Sequence, residues 1–188
     1  MEGDDYMSAI AGTFIDTAVL DLDALRRLTY AELDALYRGA RCPSAIAQLN
    51  GDTRGAMLAW RRPRTGPIAW WLRTFGASSA FPWEGKSFQD EAETSTLSPD
   101  QGRGINRVNF FGKRRWFPFK TRFAASFLDG KPTFQLDYSG PANPPFIRSI
   151  VDEIREVAPG LYLGPAALNF RGRPRPVLFF AVSHRVVP

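Results

Sequence analysis

RWFPFKTRFAASFLDGKPTFQLDY, residues 115–138, is the stretch whose periodicity decides the fold. Phe117, Phe119, Phe123 and Phe127 share one side with Thr121 and Ala125, while Trp116, Lys120, Arg122 and Ser126 take the other. A period of two with one apolar face is the signature of a half-buried strand. Leu128-Asp129-Gly130-Lys131 then supplies a tight hairpin, because an Asp-Gly pair accepts the positive φ angles such turns demand. On the return, 132–138, Phe134, Leu136 and Tyr138 lie on one side and Thr133, Gln135 and Asp137 on the other. Antiparallel pairing of consecutive strands follows.

Beyond this hairpin, Asn143 followed by Pro144 reads as a helix start, a side-chain cap and then a residue whose missing donor costs nothing there. The spacing of Phe146, Ile147, Ile150, Val151, Ile154 and Val157 predicts a helix over 144–157, with Arg148 and Asp152 paired on its surface. Two last strands, 161–170 and 175–184, are joined by Arg171-Gly172-Arg173-Pro174. The run Val177-Leu178-Phe179-Phe180-Ala181-Val182 is apolar throughout, which implies one face toward an interior and one beneath a helix.

On the N-terminal side, residues 89–103 read as a surface loop, Trp83 to Phe88 as a short strand, 68–75 as a short helix and Arg54 to Arg61 as a first strand. Residues 21–39 form a helical hairpin: Thr29 and Glu32 make a capping box, Gly39 supplies a left-handed stop, and Leu33, Leu36 and Tyr37 form the buried stripe. Residues 1–20 are expected to be a flexible segment. The expectation is one domain over 1–188, mainly β with minor α. Residues 54–184 make a small antiparallel lipocalin-like β-barrel with N-terminal helices and one helix inserted between late strands; an open sheet packed on helices is the alternative.

Composition bounds the function classes. Fifteen Phe, five Trp and five Tyr among 188 residues suit a thick core or an aromatic-walled cavity. No uninterrupted apolar stretch of the sequence approaches the length of a transmembrane helix, and the start is acidic rather than signal-like, so a cytoplasmic protein is expected. A lone cysteine, Cys42, fits a reducing compartment, and with a single histidine beside it no ordinary zinc set is expected. Residues 101–128 carry Arg103, Arg107, Lys113, Arg114, Arg115, Lys120 and Arg122 without an acidic residue, a basic surface suited to nucleic acid, an anionic membrane or an anionic small molecule, or else simply a solvated strand face. Phosphate-loop, nucleophile-elbow, zincin and dinucleotide motifs are absent.

The segments Asp129-Gly130-Lys131-Pro132, Leu136-Asp137-Tyr138-Ser139, Asn143-Pro144, Asp152-Glu153-Ile154-Arg155-Glu156-Val157 and Pro159-Gly160-Leu161-Tyr162-Leu163-Gly164 resemble an uncharacterised bacterial family of lipocalin-like β-barrels, over roughly residues 83–183. That resemblance implies a barrel with an internal cavity and leaves its ligand and activity open. The first functional expectation is a binding barrel for a hydrophobic or amphipathic small molecule. Phe117, Phe119, Phe123 and Phe127 would line it, Lys120, Arg122 and Arg148 would meet an anionic group, and His184 would close the last strand. The second is a cofactor-independent isomerase, cyclase, hydratase or lyase, with Asp137, Tyr138, Asp152 and Tyr162 as acid–base candidates, since burial shifts such groups toward useful pKa values. Asp137 and Tyr138 point to opposite sides of one strand, so at most one faces inward. The third, ranked lowest, is a nucleic-acid or protein interaction module. No cofactor is expected; heme on His184 is the minor alternative, and the Gly-x-Trp-x-Gly-x-Gly signature of nitrobindin-like heme barrels is missing.

Overall fold

The computed structural model describes residues 20–61, 83–90, 101–109 and 112–184. Two helices come first, α1 (Leu22–Arg26) and α2 (Tyr30–Gly39), followed by a 3-10 turn at Ile46–Leu49. Nine strands follow: β1 (Gly51–Asp52), β2 (Arg54–Trp60), β3 (Trp83–Asp90), β4 (Gln101–Asn109), β5 (Lys113–Ala125), β6 (Pro132–Asp137), β7 (Ile150–Ala158), β8 (Leu161–Phe170) and β9 (Arg173–Ser183). All pair antiparallel, in the order β1-β3-β4-β5-β6-β7-β8-β9-β2. Each strand from β3 to β9 therefore neighbours the next in the chain, an up-and-down meander.

Closure depends on one bent segment. Gly51 and Asp52 pair with β3, whereas Arg54 to Trp60 pair with β9, so the chain crosses the seam at Thr53. Thr53 ties that crossing to β3: its N–H and its hydroxyl each donate to the Lys86 carbonyl at 2.8 Å, and its hydroxyl accepts from the Lys86 N–H at 3.2 Å. Gly85 permits the approach, for at φ +142° an added Cβ would stand 2.0 Å from the Thr53 carbonyl oxygen. The result is a nearly closed, mostly β barrel with two helices on its outside.

Two apolar layers follow from strand alternation. Inside are Phe88, Phe119, Phe134, Leu136, Tyr138, Ile154, Leu178, Phe180 and Val182. Outside, Phe179 and Ala181 of β9 and Leu161 and Leu163 of β8 pack under Leu25, Leu33 and Tyr37 of the helices. The apolar run of β9 thus has the two covered faces its composition predicts. Thr29 and Glu32 form the capping box, with the Thr29 N–H donating to Glu32 at 2.7 Å. Among the described residues no helix is long and apolar enough to cross a membrane.

Several expectations are corrected. Residues 150–158 are strand β7, preceded only by a 3-10 turn at Ile147–Ser149, and not part of a helix over 144–157. Ile150 and Ile154, four apart, share a face in either geometry; what decides is that Asp152, Glu153, Ile154 and Arg155 are all buried, which one apolar helix stripe cannot arrange and a strand covered on both faces can. Asn143 is no helix cap, since its side-chain amide donates to the Pro118 and Tyr138 carbonyls, and Phe146 is 57% exposed. The expected Arg148–Asp152 pair gives way to Arg148 donating to the Asn143 and Pro141 carbonyls. Within 89–103, read as a surface loop, β3 continues to Asp90 and β4 begins at Gln101; just beyond, Gly104 leaves room for Phe119, whose ring would lie 2.4 Å from an added Cβ. Gly39 ends α2 without a left-handed turn, Ala40 being extended. Phe117, at φ 58°, occupies a bulge where the register with β4 shifts, so the alternation of β5 is broken there, and Phe127 falls beyond the end of β5. The expected flexible segment over 1–20 falls outside the described residues except for Leu20, and the helix over 68–75 falls wholly outside them.

Candidate functional site

A cross-barrel row Thr121–Leu136–Asp152–Ala166–Leu178 runs through β5 to β9, so these side chains share the inner face. Lys86 of β3 and Asn106 of β4 are direct partners on the same side of the sheet. Tyr138, just past β6, completes the group. Lys86 Nζ donates to Asp152 Oδ2 at 3.0 Å, to Asn106 Oδ1 at 3.0 Å and to the Tyr138 hydroxyl at 2.5 Å. The Tyr138 hydroxyl donates in turn to Asp152 Oδ2 at 3.0 Å. Asn106 is held by the Trp83 indole, which donates to Oδ1 at 3.1 Å, and by the Phe117 carbonyl, which accepts from Nδ2 at 3.2 Å.

Three acceptors match the three N–H bonds of an ammonium, so the geometry fits charged Lys86 against ionised Asp152. Rings surround the pair, with Lys86 Nζ lying 4.9 Å from the Phe180 centroid, 5.2 Å from Phe119, 5.3 Å from Tyr138 and 5.4 Å from Trp83. Burial pushes the Lys86 pKa below its ordinary value, against the pull of Asp152. Burial, reinforced by the Asp152 charge, holds Tyr138 well above a free phenol, so it stays a donor at neutral pH. Two polar atoms on this face remain unmatched: Asp152 Oδ1 and Thr121 Oγ1 are buried and have no hydrogen-bond partner among the described residues.

Of the residues singled out in the sequence, Tyr138, Asp152 and Phe119 meet here. Phe123 packs on Phe134 at 5.4 Å between centroids, and Phe117 packs against the same inner cluster. Tyr162 serves the Ile46–Leu49 turn, its hydroxyl donating to the Gln48 carbonyl at 3.2 Å and its pKa pushed up to about 12 by burial. His184 joins it there, Nε2 lying 3.0 Å from the Leu49 carbonyl oxygen, while Leu49 itself enters the core. Asp137 accepts from the Ser139 N–H in a turn, and Phe127 donates its N–H to Glu153. Lys120, Arg122 and Arg148 are exposed on the outside, Arg122 bonding to Gln135. Lys86 and Asn106 escaped sequence reasoning; the only hint was that Lys86 shares a strand side with Phe88.

A second buried polar group lies under α2. Glu153 accepts from Ser126 at 2.7 Å, Tyr37 at 3.0 Å and the Phe127 N–H at 2.9 Å. Arg155, 1% exposed, forks onto Asp129 at 2.7 and 2.8 Å and also donates to the Pro132, Lys131 and Tyr37 carbonyls. The carboxylates and the guanidinium here are bonded to the protein itself, which fits a clasp between hairpin, helix and barrel.

No family model matches the chain, and no curated protein matches it. Among solved structures, a protein from Thermomonospora curvata is similar, at 17% identity over 84% of this chain and 88% of that one, with a TM-score of 0.44.

Proposed function

We propose that the barrel binds a small, largely apolar molecule carrying a hydroxyl or N–H group, which it presents to Asp152 Oδ1 and Thr121 Oγ1. The observation that carries this reading is the pair of unmatched polar atoms on an inner face otherwise lined mainly by aromatic and aliphatic side chains. A buried carboxylate oxygen without a donor is costly, and a ligand donor relieves that cost. A neutral ligand fits better than the anionic one considered from the sequence, because Lys86 is already neutralised by Asp152 and because Lys120, Arg122 and Arg148 face outward.

Native mass spectrometry and tryptophan-fluorescence titration with matched phenols, alcohols, amides and carboxylates test it. Neutral donors should bind, and Thr121→Val and Asp152→Asn should each weaken them, the latter by about tenfold or more, the loss expected for a hydrogen bond to a charged acceptor. Thr121→Val keeps the Lys86–Asp152 pair, so its effect separates ligand contact from misfolding. Retention of no neutral donor, or binding indifferent to both changes, would overturn the reading.

A second reading, cofactor-independent acid–base catalysis on such a molecule, draws on the Tyr138 phenol placed between Lys86 and Asp152. Its signature is solvent deuterium entering a carbon of the bound molecule, followed by NMR and abolished in Tyr138→Phe. Binding without exchange leaves the barrel as a carrier.

A further inference from the structure

In an up-and-down meander, alternate connections emerge at the same end of the barrel. The β4–β5, β6–β7 and β8–β9 connections therefore share one end. Residues 109–116, 138–149 and 168–177, which span them, contain no Asp or Glu. They do contain Arg114, Arg171, Arg173 and Arg175, all exposed. The same three stretches hold all of the large hydrophobic side chains exposed among the described residues: Trp116 at 40%, Phe146 at 57% and Phe170 at 57%. The Arg171 and Arg175 guanidiniums lie 5.3 and 5.9 Å from the Phe170 ring centroid.

Exposed phenylalanines set among arginines are costly in water and suit a boundary where rings enter an apolar layer while cations meet phosphates. We propose that this end of the barrel docks on the surface of a membrane rich in anionic lipid. A membrane is favoured over nucleic acid by the placement of the rings. Phe146 lies in the β6–β7 connection and Phe170 at the end of β8, whereas single-strand binders line stacking rings along a basic groove, and the outer side of β5 offers Lys120 and Arg122 without an exposed ring between them. Docking is independent of the internal ligand and stands or falls by itself.

Vesicle co-sedimentation of the full chain tests it, using phosphatidylcholine alone and phosphatidylcholine with about one-third phosphatidylglycerol, at low and physiological salt. Binding should appear only with the anionic vesicles and weaken as salt rises. Arg171→Glu with Arg173→Glu should reduce it by about tenfold or more, and Phe146→Ser with Phe170→Ser by a comparable factor, with thermal melts unchanged because all four side chains are exposed. No sedimentation with anionic vesicles at low salt overturns the proposal. So does a Phe146→Ser, Phe170→Ser variant that binds those vesicles undiminished, or single-stranded DNA outcompeting them at equal charge; either result would mark a general polyanion patch.

Discussion

Lys86 and Asp152, with side chains only 4% and 6% exposed, are each tolerable in the barrel because the other is there. An ion pair so placed adds little net stability, yet halving it leaves one uncompensated charge in an apolar interior. Lys86→Met is therefore expected to lower unfolding free energy in urea by roughly 3–5 kcal/mol, and Lys86→Met with Asp152→Asn to recover most of that loss. A single variant as stable as the native chain would mean that the interior accommodates Asp152 without its partner. The sequence offered Asp152 and Tyr138 as acid–base candidates, without showing that they meet. Lys86 was invisible as an interior residue, because lysine on a strand reads as solvent-facing until the strand across the seam is known.

At the scale of elements, α2 is seated on β7 by the Tyr37–Glu153 bond and by Arg155, whose guanidinium lies 4.4 Å from the Tyr37 ring centroid. Arg155 holds Asp129 at about 2, below its ordinary 3.8. Since the folded pKa is the lower one, the stabilisation is complete above 3.8 and is lost as the pH falls through about 2. Asp129→Asn should thus be less stable than the native chain at neutral pH, and the gap between their melting temperatures should close across that acid window; a gap that persists below it would place the contribution elsewhere. The hairpin that presents Asp129 was legible from Asp129-Gly130, although only Gly130, at φ +71°, takes a positive φ and the connection between β5 and β6 spans 126–131. The strand that presents Arg155 was not, because Ile150, Ile154 and the charges between them satisfy a helical period equally well.

For the whole molecule, the seam at Thr53 and Gly85 decides whether the sheet is a barrel. Gly85→Ala forces a Cβ against the Thr53 carbonyl oxygen, 2.0 Å away, at a φ that L residues rarely adopt. It should cost several kcal/mol, of order 2–4, and loosen the barrel along β1–β3 before the helices detach. Hydrogen exchange reads this as early loss of protection at Lys86 and Thr53, whose mutual bonds close the seam, while β8 and β9 stay protected. Uniform loss across all strands would mean that closure and helix packing are one cooperative event.

Local patterning alone determined the β5–β6 and β8–β9 hairpins, the Thr29 capping box, the two covered faces of β9 and the aromatic inner side at Phe119 and Phe123, because turn chemistry and side-chain period are written within a few residues. Only the tertiary structure decided that 150–158 is a strand, that Phe117 sits in a bulge, that Gly104 makes way for Phe119, and that Lys86, Asn106, Tyr138 and Asp152 converge. Those outcomes depend on strand register and barrel closure, which bring together residues far apart in the chain, and burial of a charge is favourable only once its distant partner is in place.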